Sequence, residues 1–160
     1  GFLWPSRTGG FGGTVKVPEK LEDVIEAINE KRTPFYVPEA RSYLAAYPKS
    51  ALPKAQKVYK DPVLAGMKDG IVALFQKCPH LGCRVPWCAT SQWFECPCHG
   101  SKYNRVGEKK GGPAPRGMDR WPVVVGSDGS ITINTSGSAV QGPPIGTNTT
   151  GQEAEGPNCV

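Results

Sequence analysis

The pattern of apolar and polar positions predicts short strands and one amphipathic helix. Residues 14–17 alternate between polar and apolar side chains, which is the pattern of a half-buried strand. Between residues 18 and 30, after a proline, apolar side chains instead recur at three- and four-residue intervals, the spacing of one helix face. We interpret that face as core packing; it consists of Leu21, Val24, Ile25 and Ile28.

Further segments have the composition of short strands, namely residues 34–37, 42–47, 71–76, 92–95, 101–103, 121–125 and 130–134. The last two flank the sequence GSDG, which predicts a hairpin turn. Residues 48–69 contain three prolines and five lysines, so we expect a surface insertion with a helical turn or two.

Composition supports a fold of strands and turns. Of 160 residues, 20 are Gly and 16 are Pro, while 21% are charged. These values favour an all-β domain of short, mostly antiparallel strands, with one short N-terminal helix and loop insertions. The predicted division is a flexible Gly-rich linker at 1–13, a domain at 14–134 and a polar loop or tail at 135–160.

The formal net charge of +5 is concentrated in one region. Residues 76–110 contain six Lys or Arg and two Glu. Because the cations are scattered and form no run, a solvated face is the favoured interpretation, and no nucleic acid partner is expected. An acidic protein is the better candidate partner, since opposite charges steer association.

One stretch, CPHLGCRVPWCATSQWFECPCHGSKYN at 78–104, contains five of the six cysteines and both histidines. Cys78 is followed by His80, and Cys96 is followed by His99. Thiolate and imidazole groups at such close spacing, on two loops between short strands, are typical of a metal site.

Each loop also carries one more cysteine, Cys83 in the first and Cys98 in the second. This symmetry indicates two metal ligands per loop and one cross-link between the loops. A Cys83–Cys98 disulfide would close a loop of about 16 residues and contribute about 3 kcal/mol in the chain-entropy model.

Three interpretations of the cluster compete. If the cysteines only formed disulfides, the ligand-like spacing of both histidines would be unexplained. A structural zinc site usually pairs like ligands, whereas each pair here is one Cys and one His. The third interpretation, a [2Fe–2S] cluster with two His in place of two Cys on one iron, needs two Cys and two His from two loops.

The loops resemble the ligand boxes of the Rieske [2Fe–2S] proteins, with CPHLGC as the first box and CPCHGS as the second. The resemblance is strong over residues 71–125. It implies a Rieske-type fold, with a base at 14–75 and 116–134 and a cluster-binding part at 76–115. It also implies that the cysteines bind the inner iron and the histidines the outer iron, through Cys78, Cys96, His80 and His99.

The same resemblance implies further roles. Cys83 and Cys98 match the family's disulfide pair. GGPAPRG at 111–117 looks like the family's proline loop, which covers the cluster through Pro113, Ala114 and Pro115. Leu81 and Gly82 are expected in the collar that docks on the cytochrome b subunit.

Ser101 and Tyr103 follow the second box, as in the high-potential members of the family. Hydroxyl donors to sulfur stabilise the reduced cluster and raise its potential. Rieske ferredoxins and dioxygenase domains generally lack the disulfide pair. With this pair and the two hydroxyl residues, the chain is similar to the quinol-oxidising Rieske subunit of a cytochrome bc-type complex. GCRVPW at 82–87 is similar to the plastid, cyanobacterial and Gram-positive branch.

This resemblance implies one-electron transfer as part of a quinol:cytochrome c or plastocyanin oxidoreductase, the isolated domain being an electron carrier. His99 first, and His80 second, are expected to contact quinol and accept its proton. The electron would pass to a c-type cytochrome or similar acceptor. The alternative is the small Rieske subunit of a non-quinol oxidoreductase, such as an arsenite-oxidase-type enzyme.

The expected location is outside the cytosol, because a persistent disulfide belongs in an oxidising compartment. We expect anchoring by an N-terminal helix missing from this sequence, with residues 1–13 as a hinge and the domain facing the periplasm, thylakoid lumen or cell exterior. No apolar run in the chain is long enough to cross a bilayer.

Three residues depart from the family pattern. Pro79 replaces the usual Thr of the first box, which affects the tuning of the cluster rather than its ligation. Cys88 and Cys159 match no family motif. We hypothesise that they pair and strap the tail back across the domain; free thiols and intermolecular pairing are the alternatives.

Overall fold

The computed structural model describes residues 13–79 and 82–160, and within them short antiparallel strands predominate. The strands are β1 Thr14–Val17, β2 Phe35–Val37, β3 Ser42–Ala46, β4 Ile71–Phe75, β5 Trp87–Cys88, β6 Trp93–Glu95, β7 Lys102–Tyr103, β8 Lys109–Gly111, β9 Arg120–Trp121, β10 Val123–Val125 and β11 Ile131–Asn134. The helices are α1 Leu21–Lys31, α2 Leu52–Val58 and α3 Val63–Lys68, with 3₁₀ turns at Pro38–Ala40 and Lys49–Ala51. The predicted fold class is confirmed.

Among the described residues, no helix is both long enough and apolar enough to span a bilayer.

The strands form three sheets. The first has the order β1–β11–β10, and it contains the predicted hairpin across GSDG. The second has the order β2–β3–β4–β9. The third, β5–β6–β7–β8, lies inside the part that was predicted to bind the cluster. The domain boundaries stay predictions, and of the predicted hinge only Gly13 lies within the described residues.

Helix α1 packs on an apolar cluster shared by the first two sheets. Its Val24 is fully buried, while Leu21 and Ile28 pack at the edge of the same cluster. Core packing is therefore confirmed for Leu21, Val24 and Ile28, whereas Ile25 is half-buried and lines a cleft. The helix ends where Arg32 adopts a left-handed conformation (φ 53°).

The helical turns predicted for residues 48–69 are confirmed as α2 and α3, but the prediction that the segment lies on the surface is wrong. Ala51, Ala55 and Tyr59 recur at four-residue intervals and are buried, whereas Lys54 and Lys57 on the other face are exposed. Helix α3 then packs against β4 and β10 and buries Val63, Leu64, Gly66 and Met67. The prolines and lysines obscured a helical periodicity that buries one face of the segment.

The larger apolar core connects these helices to the third sheet. It contains Met67 of α3, Leu74 of β4 and Phe94 of β6, and it extends to Cys78 and Cys96. The two cysteines predicted to bind iron are therefore part of the core.

A buried polar network joins the third sheet to the rest of the molecule. The carboxylate of Glu108, a fully buried residue, accepts hydrogen bonds from the hydroxyl of Tyr59 (2.6 Å) and the side-chain amide of Asn104 (2.9 Å). The backbone N–H of Thr149 donates to the same carboxylate at 2.9 Å, and the Thr149 hydroxyl donates to its other oxygen. These hydrogen bonds to the Glu108 carboxylate thus all come from donors. The donors replace the water that a carboxylate loses when it is buried.

Arg120 is the buried cation beside this network. Its guanidinium donates to the carbonyls of Met118 (2.8 Å) and Gly107 (3.3 Å) and lies over the ring of Tyr59, 5.0 Å from its centroid. Burial raises the pKa of Tyr59, so its phenol is neutral and donates to Glu108. The tyrosine therefore bridges the two buried charges.

Residues 135–160 contain neither helices nor strands, as predicted for a loop or tail, but they are docked along the domain. Val140 forms a β-bridge with Arg120. The backbone of Gly142 lies against Gly117, where an added Cβ would be 2.1 Å from the Gly117 carbonyl oxygen. Thr149 is buried, so the tail is part of the packed structure.

We predict that Glu108→Gln lowers the free energy of unfolding by about 2 to 3 kcal/mol, because the new amide N–H₂ faces groups that already donate. Denaturant unfolding of purified protein checks this value. The control is Glu153→Gln, since the Glu153 side chain is 72% exposed in its ion pair with Lys110. Equal stability of the two variants would contradict the role assigned to the network.

Candidate metal centre

The first ligand loop leaves β4 and turns back on itself. The N–H of Cys78 donates to the carbonyl of Cys83 (2.6 Å), and the N–H of Gly82 donates to the carbonyl of Cys78 (2.9 Å). Gly82 has φ +80°, a conformation that costs glycine little. These bonds hold Cys78, which is 3% exposed, at the base of the loop.

The second ligand loop leaves β6 and closes with the same two bonds at the same spacing. The N–H of Cys96 donates to the carbonyl of Ser101 (2.8 Å), and the N–H of Gly100 donates to the carbonyl of Cys96 (3.0 Å). Gly100 has φ +78°. The Cys-x-x-x-Gly spacing shared by both boxes is thus what allows two matching turns, each with a buried cysteine at its base.

Cys78 and Cys96 are the free cysteines of the described residues, and both are buried. Burial raises the pKa of the Cys96 thiol, and the neighbouring Cys78 raises it further. Two buried thiolates side by side are unfavourable unless a positive charge balances them. The donor set therefore fits a metal cofactor bound through sulfur.

The histidines complete the predicted ligand set only in part. His99 lies in the second loop and is exposed. His80 and Leu81 lie outside the described residues, so the ligand and docking roles predicted for them stay predictions. Gly82, next to them, is exposed.

A disulfide joins the two ligand loops. It links Cys83 and Cys98, whose Cα atoms are 6.6 Å apart. The Sγ atoms of Cys83, Cys96 and Cys98 lie within 4.8 Å of one another. The cross-link therefore lies directly over one of the buried thiols and fixes the separation of the loops.

A second disulfide joins Cys88 of β5 to Cys159. The hypothesis that these two cysteines pair is confirmed. Cys88 is 2% exposed, whereas Cys159 is exposed. The bond ties residues 135–160 to the third sheet, on which the second ligand loop is built.

Tyr103 lies directly behind the first ligand loop. Its hydroxyl is 3.3 Å from Sγ of Cys78. Burial raises the pKa of Tyr103, and the Cys78 sulfur adds to the shift, so the phenol stays protonated. A neutral phenol can donate a hydrogen bond to the Cys78 sulfur, so this position is compatible with the tuning role, which stays a prediction.

The proline loop packs on the second ligand loop through backbone. The N–H of Ala114 donates to Oγ of Ser101 (3.1 Å), and Ala114 is 1% exposed, whereas Pro113 and Pro115 are exposed. An added Cβ on Gly112 would lie 2.4 Å from Cα of Ser101. Ser101 thus accepts one hydrogen bond from the proline loop, and its hydroxyl also interacts with the Tyr103 hydroxyl.

Two residues that support the loops were missed by the sequence analysis. The hydroxyl of Tyr43 donates to the carbonyl of Val85 (2.8 Å), just beyond the first box. The carboxylate of Glu95, 1% exposed, accepts from the N–H groups of Cys159 (2.7 Å) and Val160 (3.0 Å). The only sequence feature that pointed to Glu95 was a carboxylate within the otherwise apolar run WFEC. No sequence feature pointed to the supporting role of Tyr43.

Comparison with known proteins agrees with the resemblance of the ligand boxes to the Rieske proteins. The family model for the Rieske [2Fe-2S] domain matches residues 42–122. The cytochrome b6-f complex iron-sulfur subunit of Volvox carteri chloroplasts is 34% identical over 138 residues, covering 84% of this chain and 60% of that protein. The corresponding subunit of a Cyanothece strain is 32% identical over 136 residues, covering 82% of this chain and 68% of that protein.

A solved structure with the same family name also matches. The cyanobacterial plasma membrane Rieske protein from Synechocystis PCC 6803 has a TM-score of 0.49 and 22% identity, covering 75% of this chain and 98% of its own. This chain spans about 60% of the length of the Volvox protein.

We predict that Gly112→Ala separates the proline loop from the second ligand loop. Its Cβ would meet the backbone of Ser101 and Gly100, and the φ of +86° disfavours alanine, so we expect a loss of about 2 kcal/mol of stability. Iron release to a chelator should also be faster. Gly111→Ala is the matched control, because nothing lies within 4 Å of its added Cβ; identical release rates for both variants would count against the contact.

We predict two reactive thiols in the denatured, non-reduced protein, located on Cys78 and Cys96. The other four cysteines are held in disulfides. Alkylation in denaturant followed by peptide mapping counts and locates the thiols. Four reactive thiols, or labels on Cys88 and Cys159, would contradict the pairing.

Proposed function

Since this chain belongs to the Rieske [2Fe–2S] family, we propose that it is the electron-transfer subunit of a quinol-oxidising cytochrome bc-type complex. The hydrogen bond from Tyr103 to the Cys78 sulfur carries the proposal, because it is the kind of donor that raises the potential to the range a quinol acceptor needs. The cofactor is a [2Fe–2S] cluster, which takes up and gives back one electron.

The residues that would hold the cluster come from the two matching loops. Cys78 and Cys96, both buried, would bind one iron through sulfur, and His80 and His99 would bind the other iron through nitrogen. The Cys83–Cys98 disulfide and the loop hydrogen bonds keep the ligands in place. Such rigidity limits structural change between the oxidised and reduced states.

The hydroxyl groups adjust the stability of the reduced state. Tyr103 donates to the Cys78 sulfur, and Ser101 would donate to a sulfide of the bound cluster. Both donors counter the negative charge added by an electron, so both raise the potential. The proline loop fixes the orientation of Ser101 through the N–H of Ala114.

His99 is the first choice for contact with quinol, and His80 the second. His99 is exposed, so its ring nitrogen that does not bind iron can accept a hydrogen bond from a quinol hydroxyl. An imidazole is suited to taking that proton near neutral pH. Proton uptake at this nitrogen would accompany electron transfer.

The proposed partners are the cytochrome b subunit with its quinol and a c-type cytochrome or plastocyanin as acceptor. The relatives named as cytochrome b6-f complex iron-sulfur subunits support this assignment. Two disulfides support a location outside the cytosol. We propose membrane anchoring by a helix that precedes this sequence, with residues 1–13 as a hinge and Leu81 and Gly82 in the docking collar.

The second candidate is a Rieske subunit that only conducts electrons within a non-quinol oxidoreductase, of the arsenite-oxidase type. The test is electron paramagnetic resonance of the reduced cluster in membranes, with and without a quinol-site inhibitor. A change of line shape on adding the inhibitor is the expected result. An unchanged spectrum in inhibited membranes would favour the second candidate.

We predict that Tyr103→Phe lowers the reduction potential by about 60 mV, because one hydrogen bond to a charged sulfur, worth about 1.5 kcal/mol, is lost from the reduced state. Redox titration of the purified protein measures the shift. Tyr43→Phe is the control, because its hydroxyl bonds a backbone carbonyl and should change stability alone. Equal potentials for wild type and Tyr103→Phe would overturn the tuning role.

A further inference from the structure

The segment 150–160, here called the strap, runs along the third sheet and ends at the Cys88–Cys159 disulfide. We propose that this disulfide is a thiol–disulfide exchange site, at which a protein dithiol releases the strap while the ligand loops stay closed. The proposal does not depend on quinol as substrate, and it concerns the Cys88–Cys159 bond rather than the Cys83–Cys98 cross-link between the ligand loops.

Polar contacts alone, apart from the disulfide, hold the strap. No strap residue from 151 to 160 is buried. The N–H of Glu155 donates to the carbonyl of Ser91 (2.9 Å), and the hydroxyl of Thr90 donates to the carbonyl of Pro157 (2.7 Å). Because these groups find equivalent bonds in water, they add little to the docking free energy.

The strap also carries ion pairs across a cleft. Glu155 accepts hydrogen bonds from Arg32 at the end of α1 (2.8 Å) and from Arg105 in the third-sheet region. The two arginines line a cleft with a volume of about 920 Å³. The strap residues Gln152 and Glu155 form part of its wall. Exposed ion pairs of this kind contribute little, so the disulfide decides whether the strap stays docked.

The far end of the strap covers Glu95. The N–H groups of Cys159 and Val160 bond its carboxylate, and Ser91 donates its hydroxyl to the other oxygen at 2.5 Å. Departure of the strap would expose Glu95 to water, which replaces the two lost donors. Glu95 directly precedes the ligand Cys96, so the docked strap braces the strand that carries the second ligand loop.

The exchange takes two steps, in which atoms and electrons balance. A thiolate of the partner attacks Sγ of the exposed Cys159, which forms a mixed disulfide and breaks the bond to Cys88. Cys88 leaves as a thiolate and is protonated by water. The second partner thiolate then attacks the mixed disulfide, so that Cys159 leaves and is protonated in turn. The partner dithiol is oxidised to a disulfide, and this protein gains two electrons and two protons.

The two disulfides should respond differently to the same reductant. Cys83 and Cys98 sit in loops closed by backbone hydrogen bonds, so their thiols stay adjacent after cleavage and re-form the bond. Cys159 instead leaves with the strap. Net reduction is therefore expected at Cys88 and Cys159.

The experiment treats the cluster-loaded protein with reduced thioredoxin, its reductase and NADPH, followed by acid quench, alkylation and peptide mapping. We expect labels on Cys88 and Cys159, no label on Cys83 or Cys98, and an unchanged visible spectrum of the cluster. Hydrogen–deuterium exchange should show the amide of Glu155 exchanging at least about tenfold faster after reduction.

Two variants separate the disulfide from the polar contacts. Cys88→Ser/Cys159→Ser should give the fast exchange without reductant, whereas Glu153→Gln should keep the slow exchange of the wild type. The proposal is overturned if the double variant retains its protection, if both disulfides are reduced together, or if Cys88–Cys159 resists thioredoxin until the protein unfolds.

Discussion

The whole site depends on holding two cysteine sulfurs together in an apolar interior. Cys78 and Cys96 are buried within the larger core, where a thiolate is unfavourable unless a cation and hydrogen-bond donors balance it. Two matching loop turns provide the position, and the neutral phenol of Tyr103 provides a donor. The fold therefore places the two sulfurs where a metal cofactor bound through sulfur would balance their charge.

Rigidity around this pair comes from backbone contacts more than from side chains. The loops close by N–H to carbonyl bonds, and the proline loop approaches so closely at Gly112 that no side chain fits there. Backbone atoms have few alternative positions once their hydrogen bonds are made. The electron-carrying centre is thus held in one geometry, while the exposed His99 remains accessible to a partner.

Support from further away reaches the site through buried polar groups. Glu108 and Arg120 link the third sheet to the second through Tyr59, and Glu95 links the strap to the strand before Cys96. These contacts join residues far apart in the chain. They explain why segments that look like surface or tail in the sequence are parts of the packed molecule.

The sequence by itself indicated the chemistry and part of the local geometry: the ligand boxes, most of the helix face of α1 and the candidate cysteine pairs. Each depends on spacing within a few residues or on pairing of a scarce residue type. Only the tertiary structure decided that residues 48–69 bury one face, that Glu95 and Glu108 have their donors, and that the strap spans the cleft. Burial depends on which distant surfaces meet, and local composition does not contain that information.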